Sequence, residues 1–478
     1  MTGRMLAAGR NIKSKGQVYS PGFVVDYILD LCEYRGTGIL RKHIMENSCG
    51  TGAFLTHIVA RYCLAAEQAG LTAEELRSDL QEYVHGIDIN PEACEACRIN
   101  LDTVASEHGV TGVVWDLICT DALTASAYDE RMDYVVGNPP YVRVHNLTGH
   151  YEDVKRYSFA ASGMTDMYLA FYELGLRMLN ERGMLCYITP VSWLTSLAGA
   201  PFRRFIEERK CWMSYSEFGH FQPFDVTTYT AVVQLSKDNR NRTISYSAYD
   251  AEKGAFDHVA DLSYEEISFA EGFRLLPKRS IEILRRIKSS DAVRRVQVKN
   301  GFATLADKVF IGELPFEELT IDILKASTGK WSRALFPYTA EGVPLTWRQV
   351  AEHRRVAQYL LGKEAELQKG RTREQNPEWY LYGRTQALRD VCREKTAINN
   401  LIKSKDNIRL ERVGAGCGVY SGLYIIGDVS FETLRAIIIS DEFVEYVSLL
   451  KNYKNGGYYT FSSRELEQYL NYKLSTAI

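Results

Sequence analysis

Residues 46–55 read Glu-Asn-Ser-Cys-Gly-Thr-Gly-Ala-Phe-Leu. An acid and then a small-residue turn, Gly50-Thr51-Gly52, separate a short apolar run from a helical pattern that carries Phe54, Leu55, Ile58 and Tyr62. Glycines at a strand-to-helix turn let a ligand approach backbone N–H groups and the positive end of the helix. The third glycine of a dinucleotide fingerprint is missing, because Leu55 stands in its place. A nicotinamide enzyme is therefore disfavoured.

Working outward, the first 240 residues alternate apolar runs with helical periodicity, the signature of βαβ units on a parallel sheet. Upstream, Ser20 and Pro21 can start a helix whose apolar stripe is Phe23, Val24, Tyr27, Ile28 and Leu31. Downstream, Val84 to Asp88 reads as the second strand and Asn90-Pro91 as the start of its helix. Val113 to Cys119 leads to Asp121, and Met132 to Val136 ends in Gly137-Asn138-Pro139-Pro140-Tyr141. A helix around Met167 to Leu179 precedes a strand from Met184 to Thr189, and Thr230 to Leu235 is expected to close the sheet. Beyond residue 240 the pattern changes to mixed short segments, so residues 1–240 and 241–478 are taken as two domains, with 362–376 a polar surface connection or helix end.

A chain of 478 residues, 46% hydrophobic and 24% charged, fits an ordinary globular protein and excludes a mostly disordered one. No apolar window reaches membrane-span length and the opening residues lack a signal-peptide core, so a cytoplasmic protein with no membrane contact is expected. Ten cysteines are too sparse for a disulfide framework. Cys94 and Cys97 form one CxxC without a second ligand pair, which reads as two incidental thiols, and no metal is expected. Net charge is −3, yet residues 1–240 hold 22 Lys+Arg against 29 Asp+Glu, and residues 241–478 hold 35 against 31. The basic excess gathers between Arg274 and Lys308, where Arg285, Arg286, Arg294 and Arg295 are candidates for phosphate contact. A solvated helix face is the plainer reading of that cluster.

Glu46, Asp88 and Asp121 stand at successive strand ends, on the ligand side of such a sheet. Asp88 can accept from both hydroxyls of a ribose, and Asp121 from the exocyclic amine of a purine. In Asn138-Pro139-Pro140-Tyr141 the prolines lack N–H groups, so the loop presents acceptors. The Asn138 amide oxygen and the Pro139 carbonyl can then take both protons of a planar amine, while Tyr141 offers a ring face.

These residues resemble the gamma class of S-adenosylmethionine-dependent DNA amino-methyltransferases with an NPPY loop. GQVYSPGFVVDYILDL matches the helix motif ahead of the cofactor loop, ENSCGTGAFL that loop, GIDINPEA and CTDAL the ribose and adenine strand ends, and GNPPY the catalytic loop. GMLCYITPVSWL and FQPFDVTTYTAVVQLS are similar to later core motifs. The resemblance implies a Rossmann-like core with a C-terminal mixed α+β target-recognition domain, and S-adenosyl-L-methionine as cofactor. It implies Tyr19 and Ser20 near the methionine carboxylate, and Glu46, Gly50 and Gly52 along the methionine end. Asp88 would lie on the ribose and Asp121 on the adenine, with a flipped adenine between Tyr141 and Phe224, Phe221 being the alternative ring. The partners it implies are double-stranded DNA and a separately encoded restriction endonuclease. NSCGTG departs from the family where Asn47 replaces a common Pro, and Ala122 stands where a bulkier apolar residue often packs on the adenine. The competing classes are a modification subunit of a multi-subunit restriction complex, an RNA or protein-glutamine methyltransferase, and an inactive DNA-binding module.

Overall fold

A computed structural model of the chain describes residues 20–143, 151–161, 165–224, 228–239, 242–368 and 378–476. The strand that ends at Glu46 (β1, Ile44–Glu46) lies inside a nine-stranded sheet with the order β3-β2-β1-β4-β5-β7-β6-β8-β9. The other strands are β2 (Val84–Asp88), β3 (Asp116–Cys119), β4 (Met132–Gly137), β5 (Leu179–Pro190), β6 (Trp212–Glu217), β7 (Thr230–Ser236), β8 (Thr243–Asp250) and β9 (Ala255–Ser263). β1 to β5 are mutually parallel, with Ile44 opposite both Val84 and Tyr134 and Asp88 opposite Cys119. That register carries Glu46, Asp88, Cys119 and Gly137 to one end of the sheet.

The crossover helices are α1 (Gly22–Leu31), α2 (Ala53–Ala69), α3 (Ala73–Tyr83), α4 (Pro91–Glu107), α5 (Tyr168–Met178) and α6 (Ala200–Arg209). Val24, Val25, Ile28 and Leu29 of α1, Phe54, Leu55 and Ile58 of α2, and Cys97 and Leu101 of α4 share one core with Ile44, Val84, Val136, Cys186 and Ile188 of the sheet. Successive side chains on a strand point to opposite faces, so Tyr187 looks the other way. There it meets Tyr172 of α5 at 5.5 Å, in a ring stack that runs through Phe202 and Trp193 to Trp212.

Three expectations are corrected. Pro21, not Ser20, is the N-cap of α1, because the Ser20 hydroxyl is engaged elsewhere. β7 does not close the sheet; it lies antiparallel between β5 and β6, and the sheet continues through β8 and β9. The division of the chain therefore falls later than residue 240, between units Met1–Ile281 and Glu282–Ile478. Tyr246 of β8, whose hydroxyl donates to Glu217 Oε1 of β6 at 2.6 Å, shows why: it is buried in the first unit.

In the second unit, Val296–Asn300, Leu423–Gly427, Lys395–Ile398 and Leu410–Val413 form one antiparallel sheet. Lys330–Leu335, Thr320–Lys325 and Gly418–Tyr420 form a mixed sheet, the first pair antiparallel and the second parallel. Its core gathers Phe302, Phe310, Phe336, Tyr338 and Tyr382. Helix Arg354–Gln368 runs into the segment 362–376, of which residues 369–376 lie outside the described residues.

Candidate active site

The strand ends are tied together by their own side chains. Asp88 accepts the Gly50 N–H on Oδ2 and the Asn90 N–H on Oδ1, each at 2.8 Å, and so fixes the glycine turn to the end of β2. The lone pairs left on both oxygens still suit a pair of hydroxyls. Gly50 and Gly52 take positive φ values of +52° and +89°. At Gly52 the conformation is matched by crowding, because a Cβ there would sit 2.8 Å from Cys97 Sγ of α4. Asn100 of α4 donates to the Thr51 carbonyl at 2.9 Å, which holds the far side of the turn. Asp121 accepts the Leu123 N–H at 3.0 Å and caps a single helical turn, Ala122–Thr124.

Glu46 is 3% exposed and its Oε2 has no hydrogen-bond partner among the described residues. Burial pushes its carboxyl well above the usual range, with Cys97 adding to the rise and a hydrogen bond from the Leu55 backbone opposing it. The neighbour of that carboxyl is the catalytic-type loop: a Cβ on Gly137 would lie 3.4 Å from Glu46 Cγ. A buried carboxylate without a counter-ion suits a cationic ligand group.

In the Asn138-Pro139-Pro140-Tyr141 loop, Asn138 Nδ2 donates to Ser20 Oγ at 3.2 Å, and Ser48 Oγ donates to the Asn138 carbonyl at 3.4 Å. The loop is thus braced by the residue before α1 and by the glycine turn. With Nδ2 directed at Ser20, the acceptor the amide can offer a substrate is Oδ1. Tyr141 donates to the Ile188 carbonyl at 3.0 Å and packs edge-on against Tyr168 at 6.3 Å. Burial pushes its hydroxyl well above the ordinary phenol range, so Tyr141 serves as a neutral ring.

Phe23, three residues after Ser20, packs against Phe218 and Phe221, each at 6.4 Å, and Phe221 against Tyr249 at 4.7 Å. These contacts bring the loop after β6 to the start of α1. Phe224 lies in the core with 6% of its surface exposed. Tyr19 lies outside the described residues. Arg285 and Arg286 are exposed on helix Lys278–Lys288, whose buried side is Ile281, Leu284 and Ile287. Arg294 and Arg295 are both exposed, and Arg294 is paired with Glu467 at 2.8 Å.

Ser48, Asn100 and Gly175 went unread in the sequence, and Asn47 was read only as a departure in the loop. Ser48 and Asn100 are loop and helix polar residues whose role appears only through 90- and 49-residue separations. Asn47 accepts from the Tyr187 hydroxyl at 3.0 Å, and Gly175 leaves room for that hydroxyl, since a Cβ there would lie 2.7 Å from it. The departure at Asn47 was the one local signal for this pair. Cys94 and Cys97 are both buried, and no cluster of metal-ligating side chains occurs among the described residues.

Residues 82–224, which contain three of these strand ends and the NPPY loop, match the Eco57I restriction-modification methylase family. The chain is similar to restriction-modification methyltransferases. It is 24% identical to the Type II methyltransferase M.BstVI of Geobacillus stearothermophilus over 89% of this chain and 84% of that protein. It is 25% identical to the Type II restriction enzyme and methyltransferase RM.Eco57I of Escherichia coli, covering 84% of this chain but 51% of that protein. Among solved structures, the Type IIL restriction-modification enzyme MmeI in complex with DNA aligns over 92% of this chain and 63% of its own, with 12% identity and a TM-score of 0.59. The shared fold is a Rossmann-like core with an additional domain.

Proposed function

We propose that the chain is a site-specific DNA methyltransferase that methylates N6 of an adenine extruded from the duplex, with S-adenosyl-L-methionine as methyl donor. The observation that carries this reading is the Asn138 amide, anchored through Nδ2 on Ser20 and seated beside the buried Glu46 and the Gly50–Gly52 turn. The cofactor fits the residues present: Glu46 offers a buried carboxylate for its cationic methionine end, Asp88 the acceptors for a ribose, and Asp121 an acceptor for the adenine amine. Bound there, it supplies a methyl group on an electrophilic sulfonium.

The chain's own residues then act on the target. Asn138 Oδ1 and the Pro139 carbonyl accept the two amine protons, which draws the nitrogen lone pair out of the ring and toward the methyl group. Tyr141, fixed by Ile188, holds one face of the base, and Phe224 or Phe221 the other. Such a transfer rests on positioning more than on a strong base. The second unit, Glu282–Ile478, is the target-recognition domain, with Arg285, Arg286 and Arg295 on phosphates. The reading places the enzyme in the cytoplasm, with a separately encoded endonuclease as its functional partner and no need for a metal; among the described residues no helix is long and apolar enough to cross a membrane.

The test is incubation of the protein with labelled S-adenosylmethionine and, in separate arms, duplex DNA, RNA and protein, followed by digestion of the labelled DNA to nucleosides and mass spectrometry. N6-methyladenine is the expected product. N4-methylcytosine would overturn the base assignment, and label in RNA or protein alone would overturn the substrate.

A further inference from the structure

Two thiols from different elements meet at the junction that holds Asp88 and Asp121. Cys94 lies in the first turn of α4 and is 2% exposed, whereas Cys119 ends the edge strand β3 and is exposed. The β2–β3 ladder sets Cys119 opposite Asp88. Cys94 Sγ donates to the carbonyl of the same Asp88 at 3.6 Å, and that carbonyl also accepts the Thr120 N–H at 3.0 Å. Cys119 shares its face of β3 with Leu117, which packs in one core with Cys97 and Leu101 of α4, so both sulfurs lie on the same side of the sheet beside Asp88. Residue 121 follows directly, so whatever moves these sulfurs moves the backbone of both acids.

We propose that Cys94 and Cys119 are an oxidant-responsive pair whose disulfide lowers the affinity of the cofactor site. The oxidant is a peroxide. The exposed Cys119 sulfur attacks the peroxide O–O bond; an S–O bond forms, the O–O bond breaks, and the departing oxygen takes up the thiol proton. The Cys94 sulfur then displaces the hydroxyl from Cys119, forming the S–S bond and releasing water with the Cys94 proton. Each sulfur is oxidised by one electron and the peroxide is reduced by two. Burial, together with the neighbouring Cys119, pushes the Cys94 thiol up to about 12, so Cys94 stays protonated at rest and Cys119 is the sulfur that starts the sequence.

Closure draws the sulfurs to about 2.05 Å and removes the Cys94 donor from the Asp88 carbonyl. The pull falls on the strand ends that the proposed cofactor reading assigns to ribose and adenine, and the consequence for affinity rests on that reading. A second pair supplies an internal contrast: Cys49 and Cys97 share one core, but both are buried at 3% and 0% exposure, out of an oxidant's reach.

The experiment treats the full-length protein with hydrogen peroxide, maps linked peptides without reduction, and titrates S-adenosylmethionine by calorimetry before oxidation, after it, and after dithiothreitol. A Cys94–Cys119 link is expected, with no Cys49–Cys97 link. Affinity should fall about tenfold, the loss of one hydrogen bond to a charged acceptor, and return on reduction. Cys119→Ser should neither link nor lose affinity on oxidation, and Cys94→Ala should stop at a Cys119 sulfenic acid that dimedone traps. Absence of the link in oxidised wild-type protein overturns the proposal, and so does a link that leaves affinity unchanged. Reduced protein that fails to bind S-adenosylmethionine at all would instead overturn the cofactor reading, while the peptide map would still decide the linkage.

Discussion

Ser20 and Asn138 stand 118 residues apart in the chain and 3.2 Å apart in space, and their contact separates two kinds of loss. Asn138→Ala removes the amine acceptor and should abolish turnover while leaving cofactor affinity intact. Ser20→Ala removes only the brace. Its kcat should drop by about fivefold with little change in cofactor Kd, and Ser20→Thr should restore it, because one neutral hydrogen bond is worth roughly 1 kcal/mol. If Ser20→Ala instead weakens cofactor binding at unchanged kcat, the hydroxyl serves the methionine carboxylate and not the catalytic amide.

Glu46 carries a second prediction at this scale. Its carboxyl is raised in the folded state, so the fold holds the proton more tightly than the unfolded chain does. That contribution to stability is fully present below the unfolded value near 4.5 and is lost as pH rises through the raised folded value. Glu46→Gln should accordingly raise the melting temperature at neutral pH, by roughly 1 kcal/mol of stability, while weakening S-adenosylmethionine binding. In the wild type, cofactor binding should release a proton, which calorimetry in buffers of different ionisation enthalpy will detect. No proton release would place the cationic end of the cofactor away from Glu46.

Among the elements, β1, β2 and β4 were legible because short, mostly apolar segments stop at an acid or at the NPPY loop, as strands of a buried parallel sheet do. β6 was not, since Ser214, Ser216 and Glu217 break the run although all three are buried. Their polarity is met by partners far along the chain, Ser214 by Gln234 and Glu217 by Tyr246, which no window of sequence displays. The later boundary was hidden for a related reason: β8 and β9 are largely half-exposed or exposed, so they resemble a new domain more than a sheet extension. At the site, strand-end acids and the NPPY loop were readable, whereas the bonds from Ser20, Ser48 and Asn47 were not. The Asn47–Tyr187 pair predicts that Tyr187→Phe loosens the glycine turn, with a loss of about 1 kcal/mol in stability and a raised cofactor Kd in titration.

At the opposite ends of the strands, His43 Nδ1 meets His85 Nε2 at 2.9 Å, and His85 Nδ1 meets Asp116 Oδ2 at 2.6 Å. Burial pushes the Asp116 carboxyl up, but the hydrogen bond and charge of His85, with Tyr128 and Arg131 adding to them, outweigh it and leave it below its ordinary range. Burial and the neighbouring His85 hold His43 below its ordinary 6.5. Both depressed groups contribute stability that is present above their unfolded values and lost as pH falls through the folded ones. Asp116→Asn should therefore lower the melting temperature at neutral pH and flatten its decline in acid; an unchanged acid limb would remove Asp116 from that role.

Across the whole molecule, a fragment ending at residue 281 retains the complete nine-stranded sheet, whereas one ending at 240 loses β8 and β9 and bares the edge of β6. The longer fragment should melt cooperatively, and the shorter should aggregate, as size-exclusion chromatography will show. Neutralising Arg285, Arg286 and Arg295 together should weaken specific and nonspecific DNA alike and reduce the salt slope by about 0.9 per lost contact. Arg294→Gln should behave differently and leave that slope nearly unaltered, because its guanidinium is paired with Glu467. Equal effects from all four arginines would make the pairing with Glu467 irrelevant on DNA.

The Arg295 and Val296 backbones are clamped by Asn471 Oδ1 at 2.8 and 3.0 Å, and the Val296 carbonyl accepts from Asn471 Nδ2 at 3.1 Å. A strand near the start of the second unit thus rests on helix Ser463–Thr476 as well as on its ladder with Leu423–Gly427. During synthesis on the ribosome, the first unit has all of its sheet once residue 263 has emerged, while the second unit must wait for Asn471, more than two hundred residues later. The order of translation therefore leaves the first unit to mature alone, and a chain stalled before Asn471 would hold a finished nine-stranded sheet joined to a second unit whose first strand still lacks its clamp.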